Sequence, residues 1–207
     1  MISPSPPRAK ATHFDGDSLF ARGNGNVANV FEAPYACYDA LATALSPSPA
    51  PLIFTRAISG RTITVLISEF ATKVKPSLRP NDIVIMNELT NELQAVQDIN
   101  AVYSTLQSYC ALVRAENCKV VIATLTARGA AGSYANTETD RLALNTMIRN
   151  GWSSFADGMA DVGGLSQFNS VAATSNTTYY DTDFLHFKSP GYLLYGQTFA
   201  PVIQGLL

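Results

Sequence analysis

Apolar and polar positions along this chain change their period several times, and each change marks an element. Residues 11–17 (ATHFDGD) predict a short strand that ends in the small, polar turn Gly16-Asp17-Ser18. In residues 34–45, Tyr35, Tyr38 and Leu41 recur every three positions, as on a helix face, and Ser46-Pro47-Ser48-Pro49 stops the pattern. Residues 51–58 (PLIFTRAI) are short and apolar and predict a buried strand. Gly60 opens a second helix over about 62–75, closed by Pro76 and Pro80. Residues 82–86 (DIVIM) hold a continuous apolar, β-branched run, expected of a strand covered on both faces. Ile99, Val102, Tyr103, Leu106 and Cys110 then repeat at intervals of three and four along one buried face of the longest helix. Residues 119–125 (KVVIATL) predict a fourth strand, 137–152 a helix, 157–162 a last strand and 165–182 a long polar loop. Ser189 reads as the N-cap of a closing helix, with Pro190 at its first position.

Strand and helix patterns thus alternate about five times. The alternation predicts a three-layer α/β/α sandwich, one central parallel sheet of about five strands with helices on both faces. Residues 1–10, with Ser3-Pro4-Ser5-Pro6-Pro7, read as an extended arm, and residues 11–207 as a single domain. Composition fits a globular domain, because 47% hydrophobic against 14% charged residues supplies a core and too little charge for disorder. A formal charge of −2 leaves no basic surface with which to grip a phosphate backbone, so nucleic acid is not an expected partner. No run reaches the roughly 18 to 20 apolar residues of a membrane span. Residues 1–10 lack the apolar stretch of a secretion signal, so the chain as given reads as soluble, with its compartment left open. Cys37, Cys110 and Cys118 are too scattered for a disulfide scaffold or a zinc site; they read as buried small hydrophobes, with a Cys110–Cys118 bridge as the alternative. Only two histidines are present, His13 and His186, so an imidazole mechanism has two candidates and a histidine-rich metal centre has none.

In open parallel sheets ligands bind at the carboxyl ends of the strands, so the residues that follow each strand carry the most information. They are Gly16-Asp17-Ser18-Leu19, Ser59-Gly60-Arg61, Thr90-Asn91-Glu92-Leu93, and the Asp183-Phe184-Leu185-His186 that precedes the closing helix. Taken together and in this order, the four segments resemble the SGNH hydrolases, the GDSL-type esterases and lipases, from about residue 13 to the end of the chain. The resemblance implies the flavodoxin-like sandwich of that family. It also implies Ser18 as nucleophile, His186 as its base and Asp183 as the residue orienting the base. Gly60 and Asn91 would complete an oxyanion hole with the Ser18 backbone N–H.

Elementary chemistry agrees with those roles. A serine hydroxyl is a poor nucleophile until a base takes its proton, and an imidazole ordinarily titrating near 6.5 does so at neutral pH. Asp183, three residues before His186, stands close enough to accept the other ring N–H and fix the tautomer. A developing oxyanion needs donors only, which the unshielded Gly60 N–H and the Asn91 amide provide. Two departures from the family pattern stand out. Its third motif is usually Gly-x-Asn-Asp, whereas this chain has Leu89-Thr90-Asn91-Glu92. Leu89 is expected to add bulk near the substrate and narrow the acyl pocket, and the longer Glu92 to disturb the hydrogen bonds that steady Asn91.

Plainer readings of the same residues stand beside these. Ser18, as a nucleophile expected to face solvent, is also a typical turn or cap serine; capping the helix that follows is the alternative for Asn91, and a surface position the alternative for His186. His13 reads as structural, and Asp181 is a second candidate to orient His186. Gly23-Asn24-Gly25-Asn26-Val27-Ala28 matches G-x-G-x-x-A, but no strand leads directly into it, so a loop beside the nucleophile accounts for the glycines better than a dinucleotide site. The expected function is hydrolysis of carboxylic esters with small acyl groups through an acyl-Ser18 intermediate, without metal or organic cofactor. An O-acetylated carbohydrate is the preferred substrate, with Tyr179 and Tyr180 as candidate stacking rings or, equally, packing residues. The rival is a glycan-binding module on the same scaffold that no longer hydrolyses. The identities of acyl donor and alcohol, and the oligomeric state, are not legible in the sequence.

Overall fold

The structure, a computed structural model, describes residues 10–21, 32–46, 48–87, 89–129 and 136–207. Along the chain run β1 (Ala11–Gly16), α1 (Ser18–Ala21), α2 (Glu32–Leu45), β2 (Leu52–Thr55), α3 (Ile63–Glu69), β3 (Ile83–Asn87), α4 (Leu89–Val96), α5 (Ile99–Ala115), β4 (Lys119–Ala123), α6 (Thr137–Gly151), β5 (Gly158–Ala160) and α7 (Ser189–Gln204). Every strand pair is parallel, and the order across the sheet is β2-β1-β3-β4-β5. This is the doubly wound, flavodoxin-like order, whose direction of winding reverses between β1 and β3 and opens a crevice above their carboxyl ends.

Alternation along the buried strands divides the core into two layers. Val84, Met86, Val120 and Ile122 face Ile63 and Leu66 of α3, Leu93 of α4, Leu106 and Val113 of α5 and Leu144 of α6. Ile83, Ile85, Val121 and Ala123 face the opposite way, toward α2 and α7. There Phe14 and Phe20 pack on Phe199 with ring centroids 6.3 and 5.5 Å apart. Those two helices touch backbone to backbone: a β-carbon on Gly196 would lie 2.0 Å from the Ala33 carbonyl oxygen, so only glycine fits there.

The sandwich, its five parallel strands and its helix-covered faces are as the alternating pattern predicts; several boundaries differ. The helix after Gly60 is regular only to Glu69 and continues as a π-helical turn, Phe70–Val74, and a 3-10 turn, Lys75–Ser77, around Pro76. A separate α4 precedes the long helix, because Gln97 takes a left-handed φ of 54° and Asp98 then caps α5 through the N–H groups of Asn100 and Ala101. The closing helix is capped by Lys188, so Ser189 and Pro190 already lie inside it. The polar segment 165–182 buries Phe168, Thr174 and Tyr180. Residues 1–9 of the expected arm lie outside the described residues; Lys10 already accepts the Leu52 N–H at 3.2 Å beside β2. No disulfide forms: Cys37, Cys110 and Cys118 are all buried free thiols.

Candidate active site

Ser18 stands where β1 turns directly into a helix. Asp17 makes that turn: its carbonyl accepts the N–H groups of Phe20 (3.1 Å) and Ala21 (2.9 Å), while its Oδ1 accepts that of Leu19 at 2.9 Å. The serine is therefore held at the carboxyl edge of the sheet, beside the reversal point. Contrary to the expectation of a solvent-facing side chain, it is only 7% exposed, because His186 covers it.

The opposite wall is a folded-back loop. Tyr180 and Phe187 pair as an antiparallel bridge, the Asp181 N–H donates to the His186 carbonyl at 2.8 Å, and the Lys188 N–H donates to that of Tyr179 at 2.8 Å. Phe187 roots the loop in an aromatic cluster, stacked on Phe168 at 4.6 Å. Asp183 and His186 sit near its tip. His186 Nδ1 lies 2.5 Å from Asp183 Oδ2, and its Nε2 lies 2.7 Å from Ser18 Oγ. A carboxylate only accepts, so Nδ1 carries the proton and Nε2 is left to accept from the serine hydroxyl. Asp183 Oδ1 also takes the backbone N–H groups of Leu185 (3.0 Å) and His186 (2.9 Å). Burial pulls the Asp183 pKa upward, but the bonds from the His186 side chain and these two N–H groups outweigh it and hold the carboxyl below its ordinary value. Asp181, the other candidate orienter, turns its carboxylate to the Thr182 N–H instead.

Gly60 follows β2, and Asn91 lies in the first turn of α4, just after β3. Gly60 has a φ of +79°, and a β-carbon there would meet nothing within 4 Å, so it is the backbone conformation and not a close neighbour that calls for glycine. Asn91 Nδ2 donates to the Arg61 carbonyl at 3.2 Å and to Asp17 Oδ2 at 3.4 Å, the residues that directly follow Gly60 and precede Ser18. Among the described residues, no acceptor takes the backbone N–H of Ser18 or Gly60. Asn91 lies inside the first turn of α4 and not at its cap, so the capping reading gives way.

Both expectations about the third motif are overturned. Leu89 is fully buried in the core with Ile63, Leu66 and Leu93, so it does not narrow the substrate side. Glu92 reaches across to α3, accepting from Thr64 N at 3.1 Å and Thr64 Oγ1 at 2.6 Å, so the longer arm finds partners of its own. Tyr180 cannot stack on a sugar either: it is 1% exposed, and its hydroxyl donates to the Ala127 carbonyl. Tyr179 is half-buried and sets its ring edge-on to Phe168.

His13 stands outside the site, in a buried polar chain on β1. Its Nε2 is 3.1 Å from Asp82, its Nδ1 2.8 Å from Arg56, and Arg56 grips both oxygens of Asp15. Burial and the Arg56 charge lower its pKa. The glycine-rich stretch 23–28 lies outside the described residues. No cluster of three or more metal-ligating side chains occurs among the described residues, and no helix there is long and apolar enough to cross a membrane.

Three neighbours of the site escaped the sequence reading. Asp17 is 1% exposed, and burial raises its carboxyl to about 7 against the pull of the Leu19 N–H and the charges of Arg128 and Arg61. Arg128, which donates to Gln94 Oε1 at 2.9 Å, follows β4 at the carboxyl edge, where the rule applied to the other strands also points. Phe184 sits between the paired Asp183 and His186.

No family model matches the sequence, and no curated protein does. Solved structures match its fold. A lipase/acylhydrolase from Enterococcus faecalis superposes with a TM-score of 0.71 at 12% identity, over 95% of this chain and 96% of that one. A member of the lipolytic G-D-S-L family from Veillonella parvula gives 0.70 at 14%, over 95% and 99%. An acetylxylan esterase from Geobacillus stearothermophilus gives 0.68 at 16%, over 94% of each chain. The chain thus has the SGNH hydrolase fold that its four motifs resemble.

Proposed function

We propose that this chain, sharing the fold of the SGNH hydrolases, is a serine esterase acting on small acyl esters, with an O-acetylated carbohydrate as its substrate. The observation that carries the reading is the continuous chain Asp183–His186–Ser18, with contacts of 2.5 and 2.7 Å between residues from opposite ends of the sequence. In this mechanism Ser18 Oγ bonds to the ester carbonyl carbon as its proton passes to His186 Nε2. The carbonyl oxygen becomes an oxyanion, received by the N–H groups of Ser18 and Gly60 and the Asn91 amide. Asp183 stabilises the imidazolium. The bond from carbon to the leaving oxygen then breaks, and His186 returns the proton to the departing alcohol. Water attacks acyl-Ser18 with the proton again passing through His186, which releases the acid and restores the serine.

A small acyl group is favoured by the sequence, whose segments between the motifs are short apart from 22–30 and 164–182 and carry no apolar lid. The carbohydrate is favoured by the acetylxylan esterase that shares the fold. The rival, a non-hydrolysing glycan-binding module, drew on the irregular third motif; Leu89 buried in the core and Glu92 bonded to Thr64 favour the esterase over it.

A fluorophosphonate probe should label the protein at one serine, and Ser18→Ala should abolish both labelling and hydrolysis of an aryl acetate. The variant should lose only about 0.5 to 1.5 kcal/mol of stability, one hydrogen bond. Labelling of folded Ser18→Ala, or its continued turnover, would remove Ser18 from the mechanism, and an unlabelled parent would favour the binding module.

A further inference from the structure

We propose that Phe184 is a stacking platform for the alcohol half of the ester, and that it accepts the apolar face of a pyranose ring. The proposal rests on the esterase reading and names the substrate contact it lacks. Phe184 has a φ of 57°, a left-handed conformation that a bulky L-residue rarely adopts and that glycine or asparagine adopts readily. It is also 40% exposed, although aromatic. Its backbone is fastened on both sides: its N–H donates to the Asp181 carbonyl at 3.1 Å, and its carbonyl accepts the Gly129 N–H at 2.7 Å. A β-carbon at residue 129 would lie 2.3 Å from that of Phe184, so the base of the side chain is seated against a glycine. Folding therefore fixes a ring in a strained position without covering it. Strain kept in this way is typical of residues that serve a ligand.

The side of the site follows from the chemistry. Gly60 and Asn91 receive the oxyanion, while the leaving alcohol must sit within reach of His186 Nε2 to collect its proton. Phe184 is two residues from His186 on the same loop, and we assign its ring to the alcohol's side for that reason. Thr182 and Asp183, both exposed, stand beside it. An apolar face with polar groups at its margin suits a sugar, whose C–H face is apolar and whose edge carries hydroxyls.

Phe184→Gly tests this, because glycine keeps the left-handed backbone and removes only the ring. The parent, Phe184→Gly and Phe184→Tyr are compared on methyl tri-O-acetyl-β-xylopyranoside and on vinyl acetate, whose alcohol has no ring. The glycine variant should raise KM for the sugar ester about tenfold relative to its change on vinyl acetate, with kcat little affected, and tyrosine should restore the preference. An equal loss on both substrates, or none on the sugar, overturns the platform while leaving the esterase intact. If the parent hydrolyses neither substrate, the esterase reading fails separately. Binding of the xylopyranoside to Ser18→Ala with and without Phe184→Gly then decides: roughly tenfold weaker binding without the ring upholds the platform, and equal binding overturns it.

Discussion

Asn91 holds two long hydrogen bonds, 3.2 Å to the Arg61 carbonyl and 3.4 Å to Asp17, and in the proposed mechanism an oxyanion displaces the weaker one. In that mechanism the exchange becomes favourable only as charge develops, so the amide would act on the transition state more than on the bound ester. Asn91→Ala should lower kcat by roughly 100-fold to 1000-fold with KM nearly unchanged. Asn91→Asp should be folded and at least as impaired, and a fully active Asn91→Asp enzyme would rule out the oxyanion role. Its neighbour Asp17 gives a prediction in pH. Burial raises this carboxyl from 3.8 to about 7, so between those values the folded protein holds a proton that the unfolded chain has lost, and stability falls as pH rises. Keeping the group charged above pH 7 costs on the order of 4 kcal/mol at most. Asn lacks that charge and still offers an oxygen to the Leu19 N–H. The melting temperature of Asp17→Asn minus that of the parent should therefore grow between pH 5 and pH 8, and a constant difference would show that Asp17 titrates normally.

At the scale of elements, Glu92 braces α4 against the first turn of α3, and with it Asn91 against the Gly60–Arg61 turn. Removing the carboxylate breaks two bonds to a charged acceptor and empties the place of a buried side chain, while the Thr64 donors, on an exposed residue, turn to water. Glu92→Ala should cost about 2 to 4 kcal/mol in urea unfolding and lower kcat on an aryl acetate in the remaining folded enzyme, with Glu92→Gln milder in both. A Glu92→Ala protein as stable and active as the parent would show that α4 needs no such brace. The helices legible in the sequence are those whose apolar stripe is long, as in α5, where Val102, Leu106, Cys110 and Val113 are buried. α4 was not distinguished, because no glycine or proline separates it from α5; the break is a left-handed Gln97, and only the fold selects that conformation.

For the whole molecule, the order of strand and helix patterns carried the architecture, since parallel strands covered on both faces need helices between them. The candidate site was legible for the same reason: a doubly wound sheet brings the ends of its strands to one edge, wherever they lie in sequence. What escaped were directions of side chains. Leu89 turns into the core, Tyr180 is swallowed by an aromatic cluster, and Phe184 is held outward, and each is decided by neighbours distant in the chain. The contact of Gly196 with Ala33 has a consequence for synthesis. At about 5 to 20 residues per second, a ribosome needs roughly 10 to 30 s to advance from Ser18 to His186, 168 positions later. Through that interval Phe14 and Phe20 have no Phe199 to cover them, since α7 docks on α2 only after it emerges. The nascent chain therefore carries those rings without their partner through that interval, and the pairing of Ser18 with His186 waits until α7 has left the ribosome.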